Sequence, residues 1–510
     1  MNSLPTRSAA SEAHQLQFSE DDLLAFAEAS ADRNPLHIDA HFARGTPFGR
    51  CVVHGSLLTL GALGCLPDDV LAGVRGLELT FGGAVLVGEP VTAETRYSPK
   101  AKAWEVRVSG RGRLLTRVVA RHEALPGLEP RPSGPISCRP MRVEPFAPEV
   151  ADEPAVGDQV EGAYEAKPAL AEIAGHRHAE ALDPALVEAL GWASYIVGME
   201  VPGLHGVFAA AKLALLEHDA QNGAGGYCLR VRERDPRTEQ LIVNGFLETR
   251  SGATVAAVLE CFRRRQLPEL DAAALLPATA RPASGRSVVV IGGSRGFGAA
   301  ATLALLGQGH ETHAVYSTTD GALGEARHLI GAHEERLILH QADAQDPGQL
   351  TQLREAIAER GLPLRGIVLA AALPPLAMGL TAESALPFSD YVAASIRLVS
   401  VPLGALMPLL DEQGFILFCS SSAINAPPRD WPHYVAAKGA LEQLAGWAAV
   451  AAPGVRSVVV RLPKLATAMT NSPSMRIGAT APEAIAGRLI ARLEGDDFPP
   501  GLTTLEAGEL

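Results

Sequence analysis

A chain of 510 residues is longer than a single hydrophobic core usually serves, so roughly two to four domains are expected. Hydrophobic residues at 47% and charged residues at 20% mark it as globular rather than disordered. The formal net charge of −13 argues against a general nucleic-acid binder, whose phosphate contacts need a basic surface.

The N-terminal MNSLPTRSAASEAHQLQF lacks the apolar run of a secretory signal. No uncharged stretch is long enough to span a bilayer; the nearest, Leu398 to Leu410, carries Pro402 and Pro408 and suits a buried helix. A cytoplasmic protein without membrane contact is therefore expected. Six scattered cysteines without paired spacing read as reduced thiols, with neither a disulfide framework nor a metal site.

In chain order, residues 15–124 begin with FSEDDLLAFAEASADRNPLH, continue through an apolar helix in VVHGSLLTLGAL, and end in strand-like runs such as PVTAETRY and LLTRVVARHE. Residues 125–157 are proline-dense and read as a linker, because proline resists helix interiors and central strands. Residues 158–266 repeat the first layout, with ALVEALGWASYIVGM followed by the strand-like YCLRVRERD, QLIVNGFLETR and TVAAVLECFRRR. One helix wrapped by a curved sheet, in two copies, fits both segments. Residues 267–286 form a second proline-rich linker. Residues 287–510 alternate β-branched runs (SVVVIGG, GIVLAAA, GFILFCSS, SVVVRLP) with helical stretches, the pattern of a doubly wound parallel sheet.

Chemistry concentrates in two places. In the first segment Asp32-Arg33-Asn34-Pro35-Leu36-His37 places a carboxylate and an imidazole around a rigid proline turn. Such a pair can share the base and acid roles needed to remove water from a 3-hydroxyacyl thioester. His54-Gly55 stands where the buried helix should begin, and helix N-terminal amides can polarise the carbonyl as enolate charge develops. The second segment lacks this motif; its candidates are His176, His178, Glu200 and His205 at unrelated positions, with ordinary packing expected for His205. In the third segment, Gly292-Gly293-Ser294-Arg295-Gly296-Phe297-Gly298 follows a strand and suits close approach to a pyrophosphate. Downstream, Tyr434 and Lys438 sit one helical turn apart, preceded by Ser421. The lysine can stabilise the phenolate of a proton-donating tyrosine.

Residues 18–122, through FSEDDLLAFAEASADRNPLH, FGRCVVHGSLL and LTFGGAVLVGEPVTAE, resemble the MaoC-like, hydratase-2 type of hotdog enzymes. That resemblance implies (R)-specific hydration or dehydration of acyl thioesters, with Asp32 and His37 as the catalytic pair, Asn34 supporting the turn and Gly55 supplying the carbonyl-binding amide. The second segment would then be a non-catalytic hotdog half. Residues 287–500 resemble the short-chain dehydrogenase/reductase family, closest in flavour to 3-oxoacyl thioester reductases and polyketide ketoreductases. The resemblance makes Tyr434 the acid, Lys438 its tuner and ribose ligand, and Ser421 the carbonyl anchor. Cofactor contacts are implied for Gly292, Ser294, Arg295, Gly296, Phe297, Gly298, Ser317, Asp343, Ala371, Pro463 and Thr467, besides Tyr434 and Lys438.

The sequence departs from the family pattern at Ala370-Ala371-Ala372-Leu373, where NNAG is usual, and at Ser395, where an asparagine often completes a tetrad. Pro463-Lys464 stands for the usual Pro-Gly, and Thr467-Ala468-Met469 comes one residue early. The second strand ends in Tyr316-Ser317-Thr318-Thr319 without the carboxylate that usually binds the ribose of NAD, and Arg295 can meet a 2′-phosphate, so NADP(H) is favoured.

The expected whole is an α+β double hotdog followed by an α/β doubly wound Rossmann sheet. Its expected work is reduction of a 3-oxoacyl thioester, carried on acyl carrier protein or coenzyme A, and dehydration of the product in biosynthesis. The same steps run degradatively, and a non-catalytic binding scaffold, are the alternatives. A homo-oligomer is expected.

Overall fold

The computed structural model describes residues 13–126, 128, 139–147, 154–218, 225–267, 269–277, 279, 281–318, 321–325, 327–472, 475–495 and 497–509. The chain divides into two compact units, Met1–Gln266 and Leu267–Leu510.

The first unit is built on one ten-stranded sheet. Its first half contains β1 (Ala13–Leu16), β2 (Gly76–Phe81), β3 (Val91–Ser98), β4 (Ala103–Gly110) and β5 (Arg113–Arg121). The second contains β6 (Gln159–Ala163), β7 (Gly206–His218), β8 (Gly226–Asp235), β9 (Gln240–Glu248) and β10 (Ala253–Arg263). The halves join through antiparallel pairing of β2 with β7, Leu79 opposite Ala211. Outward from that seam the orders are β2-β5-β4-β3-β1 and β7-β10-β9-β8-β6, the same relative sequence of strands in each half. The repeat inferred from the chain is therefore real: this unit is a double hotdog. Joining the halves also removes two sheet edges that would otherwise expose unpaired backbone.

Helices α1 (Glu20–Ser30), α2 (Pro35–Ile38), α3 (Ala40–Arg44), α4 (Gly55–Leu63) and α5 (Asp68–Leu71) accompany the first half; α6 (Ala169–His176) and α7 (Pro184–Tyr195) accompany the second. A helix that is apolar all round must be enclosed. Leu57, Leu58, Leu60, Ala62 and Leu63 of α4 are all buried, as are Leu186, Leu190, Trp192 and Tyr195 of α7. Each such leucine contributes roughly 1.5–3 kcal/mol by leaving water.

The described part of the first proline-rich stretch does more than connect. Arg139 and Arg142 both reach the carboxylate of buried Glu200, at 2.5 and 2.8 Å, because a carboxylate taken out of water needs cationic partners. Glu200, a candidate by sequence, is thereby a structural anchor; Tyr195 Oη also donates to it at 2.7 Å.

The second unit has seven parallel strands in the order β13-β12-β11-β14-β15-β16-β17. They are β11 (Ser287–Ile291), β12 (Glu311–Tyr316), β13 (Leu337–Gln341), β14 (Leu364–Leu369), β15 (Leu410–Ser421), β16 (Arg456–Leu462) and β17 (Gly501–Leu505). Between them run α8 (Gly296–Gly307), α9 (Gly321–Glu325), α10 (Arg327–Ile330), α11 (Pro347–Glu359), α12 (Ala385–Leu406), α13 (Pro432–Ala451) and α14 (Pro482–Glu494). One core lies between α8, α14 and the sheet, and another between α11, α12, α13 and the opposite face. Both faces are covered, as an all-parallel sheet requires.

Two expectations need correction. The stretch 267–286, read as a linker, starts this unit and supplies core: Leu270 and Ala272 are buried with Val288 and Val290. Its short apolar run finds a site on the α8–α14 layer that composition did not reveal. The apolar stretch around Leu398 lies in a longer helix than expected, long and apolar enough over Ala385–Leu409 to cross a membrane by those two criteria alone. Leu398, Val399, Leu403 and Leu406 pack into the core, while Leu386 stands exposed. It is a core helix with an outer apolar face.

Candidate active sites

Local signals in the first unit set up a loop. Ser19 caps α1 through its hydroxyl, which accepts from Asp22 N at 3.2 Å, while Ser19 N donates to Asp22 Oδ2 at 2.8 Å. The helix ends at Ala31, whose φ of +59° swings the chain inward to Asp32. Asn34 then caps α2, its Oδ1 accepting from Leu36 N at 3.0 Å, with Pro35 at the first helical position. Asn34 also donates from Nδ2 to the carbonyls of Gly198 (2.9 Å) and Gly203 (3.1 Å). The turn is thus clamped to the second half of the double hotdog.

Asp32 is 1% exposed. Ser194 Oγ of α7 donates to its Oδ2 at 2.6 Å. Gly198 is required beside it, since a Cβ there would collide with Asp32 Oδ1. His37 Nδ1 lies 2.6 Å from Val52 O. A carbonyl only accepts, so Nδ1 carries the proton and Nε2 is left as an acceptor. The His54 ring stacks on His37 at 3.8 Å between centroids, and its Nε2 lies 3.2 Å from Asp32 O. Side-chain donor atoms of Asp32, His37 and His54 fall within 4.8 Å of one another.

Burial raises the Asp32 carboxyl above the ordinary value, although His37, Ser194 and the Asn34 amide pull it back. Burial lowers His37 against the opposing charge of Asp32, and holds His54 well below the ordinary histidine range. The proton affinities of Asp32 and His37 therefore move toward each other. Gly55 is the first residue of α4, where a helix leaves its N–H groups without intrahelical acceptors.

Sequence reasoning named Asp32, His37, Asn34 and Gly55, and these come together. It missed Ser194 and the stacking of His54. A hydroxyl on the otherwise apolar α7 was the available signal for Ser194. The second half thus supplies groups to the site despite lacking its motif. His176 and His178 lie exposed.

In the second unit the strand order turns outward on either side of β11 and β14, and a crevice forms beyond their C-terminal ends. Gly292 follows β11 with φ of +79°, and a Cβ there would lie 2.7 Å from the Ala371 backbone. Gly298 would likewise press a Cβ into Gly292 O. The two glycines leave the shallow cradle that a pyrophosphate fills, at the N-terminus of α8, with Phe297 buried behind it. Gly296 faces Thr467, 3.1 Å from where its Cβ would be. Ser294 is buried in the turn, and the stem of Arg295 packs where Gly321 has no side chain.

Ser317 and Asp343 follow the adjacent strands β12 and β13 and are exposed at the same sheet edge. Pro463 follows β16, whose Leu462 pairs with Ser421 at the end of β15. Thr319 lies outside the described residues. These residues fit a dinucleotide, and a nicotinamide cofactor is the group this fold takes.

Ser421 Oγ accepts from Ala423 N at 3.2 Å, which fixes the hydroxyl oxygen at the strand end. Lys438 Nζ donates to Cys419 O at 2.7 Å and lies 5.7 Å from the Tyr434 ring centroid. Tyr434 and Lys438 lie one turn apart on α13, and Lys438 reaches Cys419 near the end of β15. Tyr391, unremarked in the sequence, adjoins Tyr434: its hydroxyl donates to Leu373 O at 3.0 Å, and burial together with the Tyr434 charge holds that hydroxyl well above the ordinary tyrosine range. Ser395, at the position of the missing asparagine, hydrogen-bonds Tyr391.

Residues 5–116 match the family described as MaoC like domain, and residues 286–476 match the family described as short chain dehydrogenase. The chain joins a MaoC-like domain to a short-chain dehydrogenase/reductase domain. In the MaoC-like part it is 38% identical over 73 residues to the 3-hydroxybutyryl-CoA dehydratase of Methylorubrum extorquens, covering 14% of this chain and 41% of that one. It is 42% identical over 85 residues to the (R)-specific enoyl-CoA hydratase of Aeromonas caviae, covering 16% and 63%. Both matches span less than two thirds of the relative. The short-chain dehydrogenase/reductase part superposes on a short chain dehydrogenase from Salmonella enterica serovar Typhi at 22% identity and TM-score 0.40, covering 44% of this chain and 95% of that one.

Proposed function

We propose that the chain is a bifunctional enzyme that reduces a 3-oxoacyl thioester to the (R)-3-hydroxyacyl form and dehydrates it to the trans-2-enoyl thioester. The observation that carries this is the pairing, on one chain, of the enclosed Asp32–His37 site with the Ser421–Tyr434–Lys438 set beside a dinucleotide crevice. The activities of the two relatives, a 3-hydroxybutyryl-CoA dehydratase and an (R)-specific enoyl-CoA hydratase, support it.

In dehydration Asp32 and His37 take the proton beside the carbonyl and return one to the departing hydroxyl, the oxygen of the thioester lying against the Gly55 amide. In reduction a bound nicotinamide supplies hydride. Tyr434 gives its phenolic proton to the ketone oxygen, Lys438 steadies the resulting phenolate, and the Ser421 hydroxyl holds that oxygen in place. The carrier is coenzyme A or acyl carrier protein, the direction biosynthetic and the location cytoplasmic. Exposed Leu386, Trp447 and Val450 on α12 and α13 favour association with a second copy.

Mass spectrometry of 3-oxoacyl-coenzyme A incubated with enzyme and NADPH tests the reading, and the enoyl product is expected. Unchanged substrate over several chain lengths and both carriers would leave only a binding scaffold.

NADP(H) is favoured because Ser317 and Thr318 offer no carboxylate after β12 and Arg295 stands in the glycine turn. Arg295→Ala is expected to weaken NADPH binding about 10–100-fold with little change for NADH, as loss of one charge-assisted phosphate contact implies. Titration of both cofactors decides it, and equal losses would remove Arg295 from 2′-phosphate recognition.

Ser194→Ala removes a hydrogen bond that favours ionised Asp32. A roughly tenfold fall in hydratase kcat is expected. The acid limb of the pH–rate profile should move to higher pH, because the carboxyl then holds its proton more tightly. An unchanged profile would make Ser194 a packing residue only.

A further inference from the structure

β10 runs into three consecutive arginines, Arg263, Arg264 and Arg265. Arg263 and Arg265 both turn toward Glu239, at 3.8 and 2.7 Å. Arg264 turns the other way, held by its backbone N–H donating to His205 O at 2.9 Å, and is only 5% exposed. Its guanidinium lies 5.5 Å from the Phe42 ring centroid, and Nη2 makes one long bond to Leu204 O at 3.4 Å. Nε has no partner, and among the described residues no carboxylate pairs with this group. A guanidinium taken out of water is ordinarily paired or fully hydrogen-bonded.

Its position is informative. Leu204 O also accepts from Asn34 Nδ2 at 3.3 Å, and Phe42 belongs to α3, which directly follows the Asp32–His37 loop. Burial and, to a lesser degree, the Arg264 charge lower His37. Burial and the same charge lower His205 to about 4. An uncompensated cation therefore stands beside the catalytic loop, contributed by the half of the unit that lacks the motif.

We propose that Arg264 is the recognition group for an anionic oxygen of the substrate, a carboxylate on the acyl chain or a phosphate of the carrier arm. The inference rests on the thioester function proposed above. The planar fork of N–H donors matches either oxygen pair, and an anion there would complete the bonds that the protein leaves unmade. The Phe42 ring lies beside the guanidinium and the His205 carbonyl anchors its backbone, so the group is placed before the substrate arrives.

Hydration kinetics of the full chain test it with three enoyl thioesters: a neutral acyl group on coenzyme A, the same group on N-acetylcysteamine, and an acyl group ending in a carboxylate on N-acetylcysteamine. A carboxylate subsite predicts that the wild type prefers the third over the second by about 10–100-fold in kcat/KM, mainly through KM. A phosphate subsite predicts a similar preference for the first over the second. In either case Arg264→Gln should erase the preference and Arg264→Lys should restore part of it. Arg264→Lys also keeps the test open if the glutamine variant fails to fold. Losses equal across all three substrates, or none, would overturn the inference alone. No turnover of any thioester by the wild type would overturn the proposed function and this inference with it.

Discussion

An Asp32→Asn chain should continue to consume NADPH while the 3-hydroxyacyl thioester accumulates. The substitution keeps shape and leaves Ser194 Oγ, now 2.6 Å from Asp32 Oδ2, an acceptor of similar geometry. It removes the ionisable group whose proton affinity burial has raised toward that of His37. Loss of one member of an acid–base pair costs about two to four orders of magnitude, roughly 3–5 kcal/mol of barrier. His37→Ala should cost as much, because no other described imidazole offers the same Nε2: His54 is kept neutral and its Nε2 is engaged with Asp32 O. Direct assay of dehydration with supplied 3-hydroxyacyl thioester measures the effect, with the unfolding midpoint as control. Near-normal dehydration in either variant would place the chemistry elsewhere in the double hotdog.

Tyr434→Phe should abolish ketone reduction to a comparable extent, about two to four orders of magnitude. The phenyl ring keeps its edge contact with Trp431, 5.7 Å between centroids, and the Lys438–Cys419 bond needs no hydroxyl. What disappears is the proton donor, so kcat should fall while nicotinamide binding persists. Hydration of supplied enoyl thioester should be spared, because Asp32 and His37 belong to a separately compact unit. Stopped-flow reduction and steady-state hydration on the same preparation read both. Equal loss of the two activities in a folded variant would break the assignment of separate sites.

How far these sites were legible from the chain differs between the two units. In the second unit the glycine turn, Ser421, Tyr434 and Lys438 are set by short-range geometry: a strand followed by glycines, and two residues one turn apart on a helix. Parallel strands buried on both faces read as continuous apolar runs, and SVVVIGG, GIVLAAA, GFILFCSS and SVVVRLP mark β11, β14, β15 and β16 in that way. β17 was not, since GLTTL is short and follows Phe498-Pro499-Pro500. The buried Leu270–Ala272 segment was hidden because it packs on elements far along the chain.

In the first unit the Asp32–His37 turn, the apolar α4 and the existence of two similar halves are readable along the chain, while the cap at Asn34 emerged from the fold. The readable features are matters of local periodicity, turn rigidity or self-similarity. Entry of the second half into the site arises from long-range packing. Ser194 lies 162 positions from Asp32, and the Gly198 carbonyl lies 164 positions from Asn34. Such contacts exist because β2 pairs with β7 and brings α4 beside α7, a register set by burial of both helices against one sheet. The inward turn of Arg264 has the same origin. Consecutive arginines look alike in a sequence; in the fold Arg263 and Arg265 are turned to Glu239, while Arg264 is buried on the other side without a carboxylate among the described residues.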